Sequence, residues 1–263
     1  MIATHAATAD LKAMDLVRLE ANRRLNPARK IELGQFMTPG GVARFMASLF
    51  CERNGPVRVL DAGAGVGSLT AAFINRWPNA AMTISAYELD PTLAVHLRET
   101  LARYGGEIDA TIVERDFIQD AVYRLKLGQR APGFTHAILN PPYKKINSGS
   151  AHRALLRAVG LETVNLYTAF TGLALELMAD GGELVAIIPR SFCNGLYYKP
   201  FREWVLKKAS IEHIHLFHSR TSAFNDDEVL QENVIIKIVR GKKQGKVTIT
   251  TSSDSGFSDL RSH

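Results

Sequence analysis

The chain has 263 residues, 46% of them hydrophobic, and a formal net charge of +6. That length suits one large domain, or one domain with small extensions, and the apolar share is that of an ordinary globular core. No signal peptide and no apolar run near about 18 residues points to secretion or a membrane. Two distant cysteines, Cys51 and Cys193, fit a reducing compartment, read here as the cytoplasm, and no zinc site.

In chain order, residues 8–25 read as an imperfectly amphipathic helix, a packing arm or a DNA contact, with Leu11, Met14, Val17 and Leu25 on one side. A helix follows Pro39. Strand and helix then alternate: strand Arg58–Ala62, helix Leu69–Asn75, strand Ala81–Tyr87, helix Thr92–Tyr104, strand Ala110–Val113, strand Thr135–Leu139 and a long helix Thr163–Ala179. Strand Glu183–Ile188, stopped by Pro189, helix Lys199–Ala209 and strands Ile211–Phe217 and Asn233–Val239 complete the series. Such alternation means a mostly parallel, doubly wound sheet with helices on both faces, and the last two strands suit an antiparallel pair. His213 and His215 share a strand face, but no carboxylate or cysteine completes a metal site. From Gly241 onward the chain turns polar and shows no second core.

Three features carry chemistry. The apolar run Ala137-Ile138-Leu139 ends in Asn140-Pro141-Pro142-Tyr143, a buried strand that stops abruptly. The stop leaves an amide, backbone carbonyls and an aromatic ring at the carboxyl end of a strand, where open α/β sheets bind ligands. Amide and carbonyl oxygens accept hydrogen bonds from an exocyclic amine, and a tyrosine face stacks on a planar base. Upstream, strand Val59-Leu60-Asp61-Ala62 runs into Gly63, Gly65 and Gly67. This G-x-G-x-G spacing differs from that of dinucleotide binders and points to another adenosine-containing cofactor. Glu88, at the end of the next strand, lies at the distance where an acid bonds ribose hydroxyls. Finally, residues 121–160 contain Arg124, Lys126, Arg130, Lys144, Lys145, Arg153 and Arg157 but no acid. That run brackets Asn140 and suits a polyanion, or else is an ordinary solvated basic face.

Together with Gly34-Gln35-Phe36-Met37-Thr38-Pro39 and Glu114-Arg115-Asp116-Phe117, these motifs resemble the class I, S-adenosylmethionine-dependent methyltransferases. Within them the chain resembles the γ-class DNA adenine-N6 enzymes of the TaqI and PstI/BsuBI type, over roughly residues 30–240. The resemblance implies a Rossmann-like, seven-stranded sheet with an antiparallel last strand. It implies a helical arm over residues 1–30, a catalytic domain over 31–241, and a polar tail over 242–263 that begins a missing or separate target-recognition region. It also implies S-adenosyl-L-methionine held by Asp61, Gly63, Gly65 and Glu88, with Asp116 on its adenine amine, Phe117 beside that ring, and Thr38 and Pro39 closing over the methionine moiety. Asp116 reads alternatively as a helix N-cap or turn residue.

The substrate implied is an adenine flipped out of double-stranded DNA. Asn140 and the Pro141 carbonyl would hold its amine at the methyl group, with Tyr143 stacked on the ring. Phe224, or in its place Phe217, would make the second ring contact, and Lys144 and Lys145 would bind phosphate. The family carries a separate recognition domain for which 263 residues leave no room, so a target-recognition domain or subunit and a cognate restriction endonuclease are expected partners. Asn-Pro-Pro-Tyr also serves methyltransferases acting on RNA bases or a protein glutamine, and a non-catalytic nucleic-acid-binding subunit is a further alternative.

Overall fold

The computed structural model describes residues 19–20, 37–129, 132–217 and 232–263. Most of the expected N-terminal helix, Gly34-Gln35-Phe36, Arg130, His218 and Phe224 lie outside the described residues.

The alternating pattern folds as read. Helix α1 (Gly40–Ser48) precedes β1 (Val57–Ala62), α2 (Ser68–Arg76), β2 (Met82–Tyr87), α3 (Pro91–Leu101) and β3 (Ile108–Val113). The chain continues through α4 (Phe117–Lys126), β4 (Phe134–Leu139), α5 (Ala151–Arg157), α6 (Leu166–Leu177) and β5 (Met178–Pro189). Short helix α7 (Ser191–Asn194), α8 (Lys199–Lys208), β6 (Ala209–Phe217), β7 (Asn233–Arg240), β8 (Thr248–Ser252) and β9 (Arg261–Ser262) complete it.

The strands form one sheet in the order β3-β2-β1-β4-β5-β7-β6-β8-β9. Strands β1 to β5 pair in parallel, and β7 runs antiparallel between β5 and β6. From β1 the chain first steps outward to β2 and β3, then returns to the other side for β4 and β5. The reversal opens a crevice at the carboxyl ends of β1 and β4, the topological switch point where such sheets bind ligands. Side chains alternate between two cores: Val59, Ile138, Val185 and Ile235 pack beneath α1, α2 and α3, while Leu60, Leu139, Ala186 and Ile236 pack beneath α4, α6 and α8.

The sheet has nine strands where seven were expected, because the polar C-terminal residues extend it. Strand β8 pairs in parallel with β6, and β9 pairs antiparallel with β8. Its threonines are not merely solvated. Thr250 Oγ1 lies 2.8 Å from His213 Nε2 and 2.9 Å from His215 Nδ1, and Ser252 Oγ lies 3.1 Å from His215 Nε2. The two histidines do share a face, and hydroxyls satisfy them; no metal-binding group of His, Cys, Asp and Glu occurs among the described residues. Phe217 is buried against His215 and Phe257, a core position.

Candidate active site

A cavity of about 410 Å³ occupies the switch-point crevice. Its floor is the loop after β1. At Gly63 φ is +82°, and a Cβ there would project between Phe170, Pro142 and the Asn140 carbonyl, 3.8–3.9 Å from each. Those are ordinary van der Waals distances, so it is the positive φ that calls for glycine here. At Gly67 φ is +88°, which favours glycine, and a Cβ would also come 2.8 Å from the Leu97 side chain and 3.1 Å from that of Thr100, crowding the start of α2 against α3.

Glu88 ties that loop to the end of β2. Its Oε2 accepts the Gly65 N–H and its Oε1 accepts the Asp90 N–H, both at 2.8 Å. The side chain is 4% exposed. Burial pushes its carboxyl above the ordinary value, and the two N–H bonds offset only part of that. Asp61 sits beneath the loop and not on the cavity wall. Its Oδ2 accepts from Thr70 Oγ1 at 2.6 Å, while Oδ1 is buried with no hydrogen-bond partner. Desolvation pushes its carboxyl up to about 7, with the Thr70 bond opposing and the Glu88 charge adding.

The opposite end of the cavity is set by Asp116, Phe117 and His152. Asp116 caps α4 through Oδ1, which accepts the Gln119 N–H at 2.9 Å, and its Oδ2 meets His152 Nε2 at 2.9 Å. It is thus both an N-cap and a cavity residue, so the two readings of it are compatible. Burial alone would raise the Asp116 carboxyl, but the His152 and Gln119 bonds outweigh it and leave it below its usual range. The same contact raises the His152 imidazole. Phe117 packs edge-on to Tyr87 and tilted against Phe170.

Asn140 leaves the end of β4 onto the cavity wall, where its Nδ2 donates to Thr38 Oγ1 at 2.9 Å. Thr38 precedes α1, and the Pro39 carbonyl accepts the first helical N–H, from Ala43. Tyr143 is half-buried and does not line the cavity. Its hydroxyl donates to the Ile187 carbonyl at 3.1 Å and its ring meets Tyr167 edge-on; burial holds the phenol far above its usual range. Exposed Lys144 and Lys145 line the mouth. Their backbone is pinned where the Leu166 N–H donates to the Lys144 carbonyl at 2.8 Å and the Ile146 N–H to the Val164 carbonyl at 2.7 Å.

Thr38, Gly63, Gly65, Glu88, Asp116, Phe117, Asn140, Lys144 and Lys145 therefore line one cavity, while Pro39, Asp61, Pro141 and Tyr143 are not among its lining residues. Two basic residues of the 121–160 run are committed elsewhere. Arg153 is buried and donates to the Thr163 carbonyl and Glu162, and Arg157 pairs with Glu162 at 2.9 Å. Sequence reasoning missed His152, a lone histidine with no motif around it.

Residues 81–224 match the Eco57I restriction-modification methylase family. Over 264 aligned residues the chain is 51% identical to the Type II methyltransferase M.BsuBI of Bacillus subtilis, with 96% of this chain and 52% of that protein covered. It is 44% identical to the Type II methyltransferase M.PstI of Providencia stuartii, with 91% and 49% covered. The chain thus spans about half the length of these curated relatives. Its fold superposes on a putative class I S-adenosylmethionine-dependent methyltransferase from Listeria monocytogenes with a TM-score of 0.70 at 13% identity, covering 95% of this chain and 74% of that one.

Proposed function

This chain belongs to the Eco57I restriction-modification methylase family, and from that premise we propose that it is the catalytic part of a DNA methyltransferase that modifies N6 of adenine within a restriction-modification system. The observation that carries this reading is Asn140-Pro141-Pro142-Tyr143 at the end of β4, with Asn140 on the wall of a cavity floored by a glycine loop.

The cofactor is S-adenosyl-L-methionine, the methyl donor of the class I fold, and the cavity suits it. Gly63 and Gly65 line it without side chains, so a ligand can approach their backbone closely. A buried carboxylate, Glu88, stands at the end of β2 where ribose hydroxyls would be held. Asp116 would accept the adenine amine and Phe117 would flank the ring. When bound, the cofactor supplies an electrophilic methyl group on a sulfonium.

The chain's own groups bind, orient and polarise the acceptor. An adenine amine is a poor nucleophile because its lone pair is delocalised into the ring. Accepting its two hydrogens at the Asn140 side-chain oxygen and the Pro141 carbonyl favours a pyramidal nitrogen with its lone pair aimed at the methyl group. These bonds strengthen as positive charge develops, so they act on the transition state. A base inside a duplex cannot reach such a site, so the adenine is flipped out. Tyr143 stacks on it, with its ring fixed by the bond to the Ile187 carbonyl. Lys144 and Lys145 contact phosphate, which gives affinity without sequence information. Phe224 supplies the second ring contact. Base readout falls to a further domain or subunit, and a restriction endonuclease is the cognate partner. No helix among the described residues is long and apolar enough to cross a membrane, and we place the protein in the cytoplasm with its DNA.

The test is transfer of a radiolabelled methyl group to DNA, RNA and protein offered side by side, with the product identified by mass spectrometry. The expected product is N6-methyladenine in DNA. Label confined to RNA or protein would overturn the assignment.

A further inference from the structure

We propose that Leu196 and Tyr197 press against the DNA duplex beside the extruded adenine and stack on the bases that its departure uncovers. The inference rests on the functional reading above and names the surface by which that site meets its substrate. Leu196 is 84% exposed and Tyr197 86%. Single exposed apolar side chains are ordinary, but an adjacent leucine and tyrosine, both almost wholly in water, form apolar surface that the fold itself does not use. They lie in a 3-10 turn, Leu196–Tyr198, between α7 and α8. That turn is held firmly from beneath. Arg202 Nη1 donates to the Phe192 carbonyl at 2.7 Å and to the Gly195 carbonyl at 2.9 Å, and the Phe192 side chain is buried. Tyr198, unlike its neighbours, is packed: its hydroxyl accepts from Asn165 Nδ2 at 2.5 Å and its ring lies tilted against Tyr167 at 5.6 Å. An anchored turn therefore carries two side chains with nothing of their own chain to touch.

Topology puts this turn on the substrate side. Strand β5 is parallel to its neighbour β4, so the chain leaves both at the same edge of the sheet, β4 into Asn140 and β5 into this turn. Contacts bridge the distance between them. Tyr198 meets Tyr167 and Tyr167 meets Tyr143, while Asn165, bonded to Tyr198, pairs through its backbone with Lys145 at the cavity mouth. Charge identifies the partner. No Asp or Glu occurs from Ser191 to Arg202, and exposed Lys199 follows the pair, loosely paired with Glu203 at 3.9 Å. On the cavity side stand exposed Lys144 and Lys145. Apolar and aromatic side chains set among cations, beside a base pocket, suit a polyanion that also offers flat apolar faces, which is nucleic acid. Extruding a base leaves its neighbours unstacked, and apolar side chains fill such steps in other DNA-distorting proteins.

The full chain is tested by fluorescence anisotropy against an intact duplex and the same duplex carrying one abasic site, where the step is already vacated. The variants are Leu196→Ala combined with Tyr197→Ala, and Tyr197→Phe, which keeps the ring. Both side chains lie outside the packed fold, so thermal unfolding and cofactor Kd should match wild type. Wild type should bind the abasic duplex more tightly than the intact one. The double variant should lose roughly 5–150-fold in affinity for the abasic duplex, the size of one base–aromatic stack, while Tyr197→Phe stays close to wild type. Apolar contact releases no counterions, so the slope of log K against log salt should not change. Wild-type affinity in the double variant would overturn the inference and leave the pair to a protein partner. A loss accompanied by a shallower salt slope would also overturn it, as would a wild type with no preference for the abasic duplex. The methyl-transfer assay above separates the two failures. Label in DNA with an unaffected double variant refutes this surface alone, whereas label confined to RNA or protein refutes the functional reading and this surface with it.

Discussion

Replacing Glu88 by Gln separates the cofactor role of this residue from its structural one. Both carboxylate oxygens accept buried N–H groups at 2.8 Å, from Gly65 and Asp90. Glutamine has one carbonyl oxygen, so one of those bonds is lost and an amide nitrogen faces the orphaned N–H. A hydrogen bond to a charged group contributes about 1.5–3 kcal/mol. Against that stands the cost of a buried charge. Burial holds the Glu88 carboxyl above its ordinary value despite both bonds, so desolvation of the ionised form outweighs them, and the neutral amide escapes it. The two effects oppose each other, and folding stability should change by no more than about 1–2 kcal/mol. Cofactor binding has no such compensation. Loss of a carboxylate acceptor for a ribose hydroxyl should weaken S-adenosylmethionine by about 1.5–3 kcal/mol, or roughly 10–150-fold in Kd. Denaturant unfolding of the free protein and calorimetry with the cofactor measure the two quantities separately. An affinity equal to wild type would remove Glu88 from the cofactor site. A collapse in stability large enough to prevent folding would show that its bonds to the loop dominate over desolvation.

Asp61→Asn should flatten the pH dependence of stability. The folded carboxyl lies at about 7 against an ordinary 3.8, so its stability contribution is full below about 4 and is lost as pH rises to about 7, on the order of 4 kcal/mol at most; the same pH slope in Asp61→Asn and wild type in denaturant titrations would refute this. His152→Ala should destabilise most between the ordinary carboxylate and imidazole ranges. The Asp116 carboxyl is lowered, so its contribution fades as pH falls, while His152 is raised and its contribution fades as pH rises. A loss of about 1 kcal/mol near pH 5.5 that shrinks by pH 9 is expected from thermal unfolding, and a pH-independent loss would count against the pair. Lys144→Ala and Lys145→Ala should each reduce the slope of log K for DNA against log salt by about one, and unchanged slopes would place these lysines off the phosphates.

The parts of the fold legible in the sequence are those where one physical requirement dominates. Buried parallel strands need apolar runs, so the ends of β4 and β5 stand out, while β2 reads as an alternating strand. The loop after β1 needs positive φ at a close approach, and Gly63 and Gly67 announce it. A double proline ends β4 at Asn140 and fixes the reactive end of the sheet. Strands β8 and β9 were hidden because an edge strand carries polar side chains; Thr250 and Ser252 look like tail composition until His213 and His215 are folded against them. The basic run over 121–160 overstated the local field because Glu162, just past its end, pairs with both Arg153 and Arg157 and offsets one of their two charges. His152 carried no signal, since its meaning lies in a contact with Asp116 from a separate loop. Asp61 is fully buried against Thr70 and does not line the cavity, a depth that spacing along a strand does not encode.

The most direct test of the account is Asn140→Ala, assayed for methyl transfer to adenine in DNA alongside cofactor binding by calorimetry. Asn140 is proposed to face the amine and not the cofactor, so transfer of label into N6-methyladenine should disappear while the Kd for S-adenosylmethionine stays close to wild type. An Asn140→Ala protein that still methylates adenine at the wild-type rate would contradict the central claim.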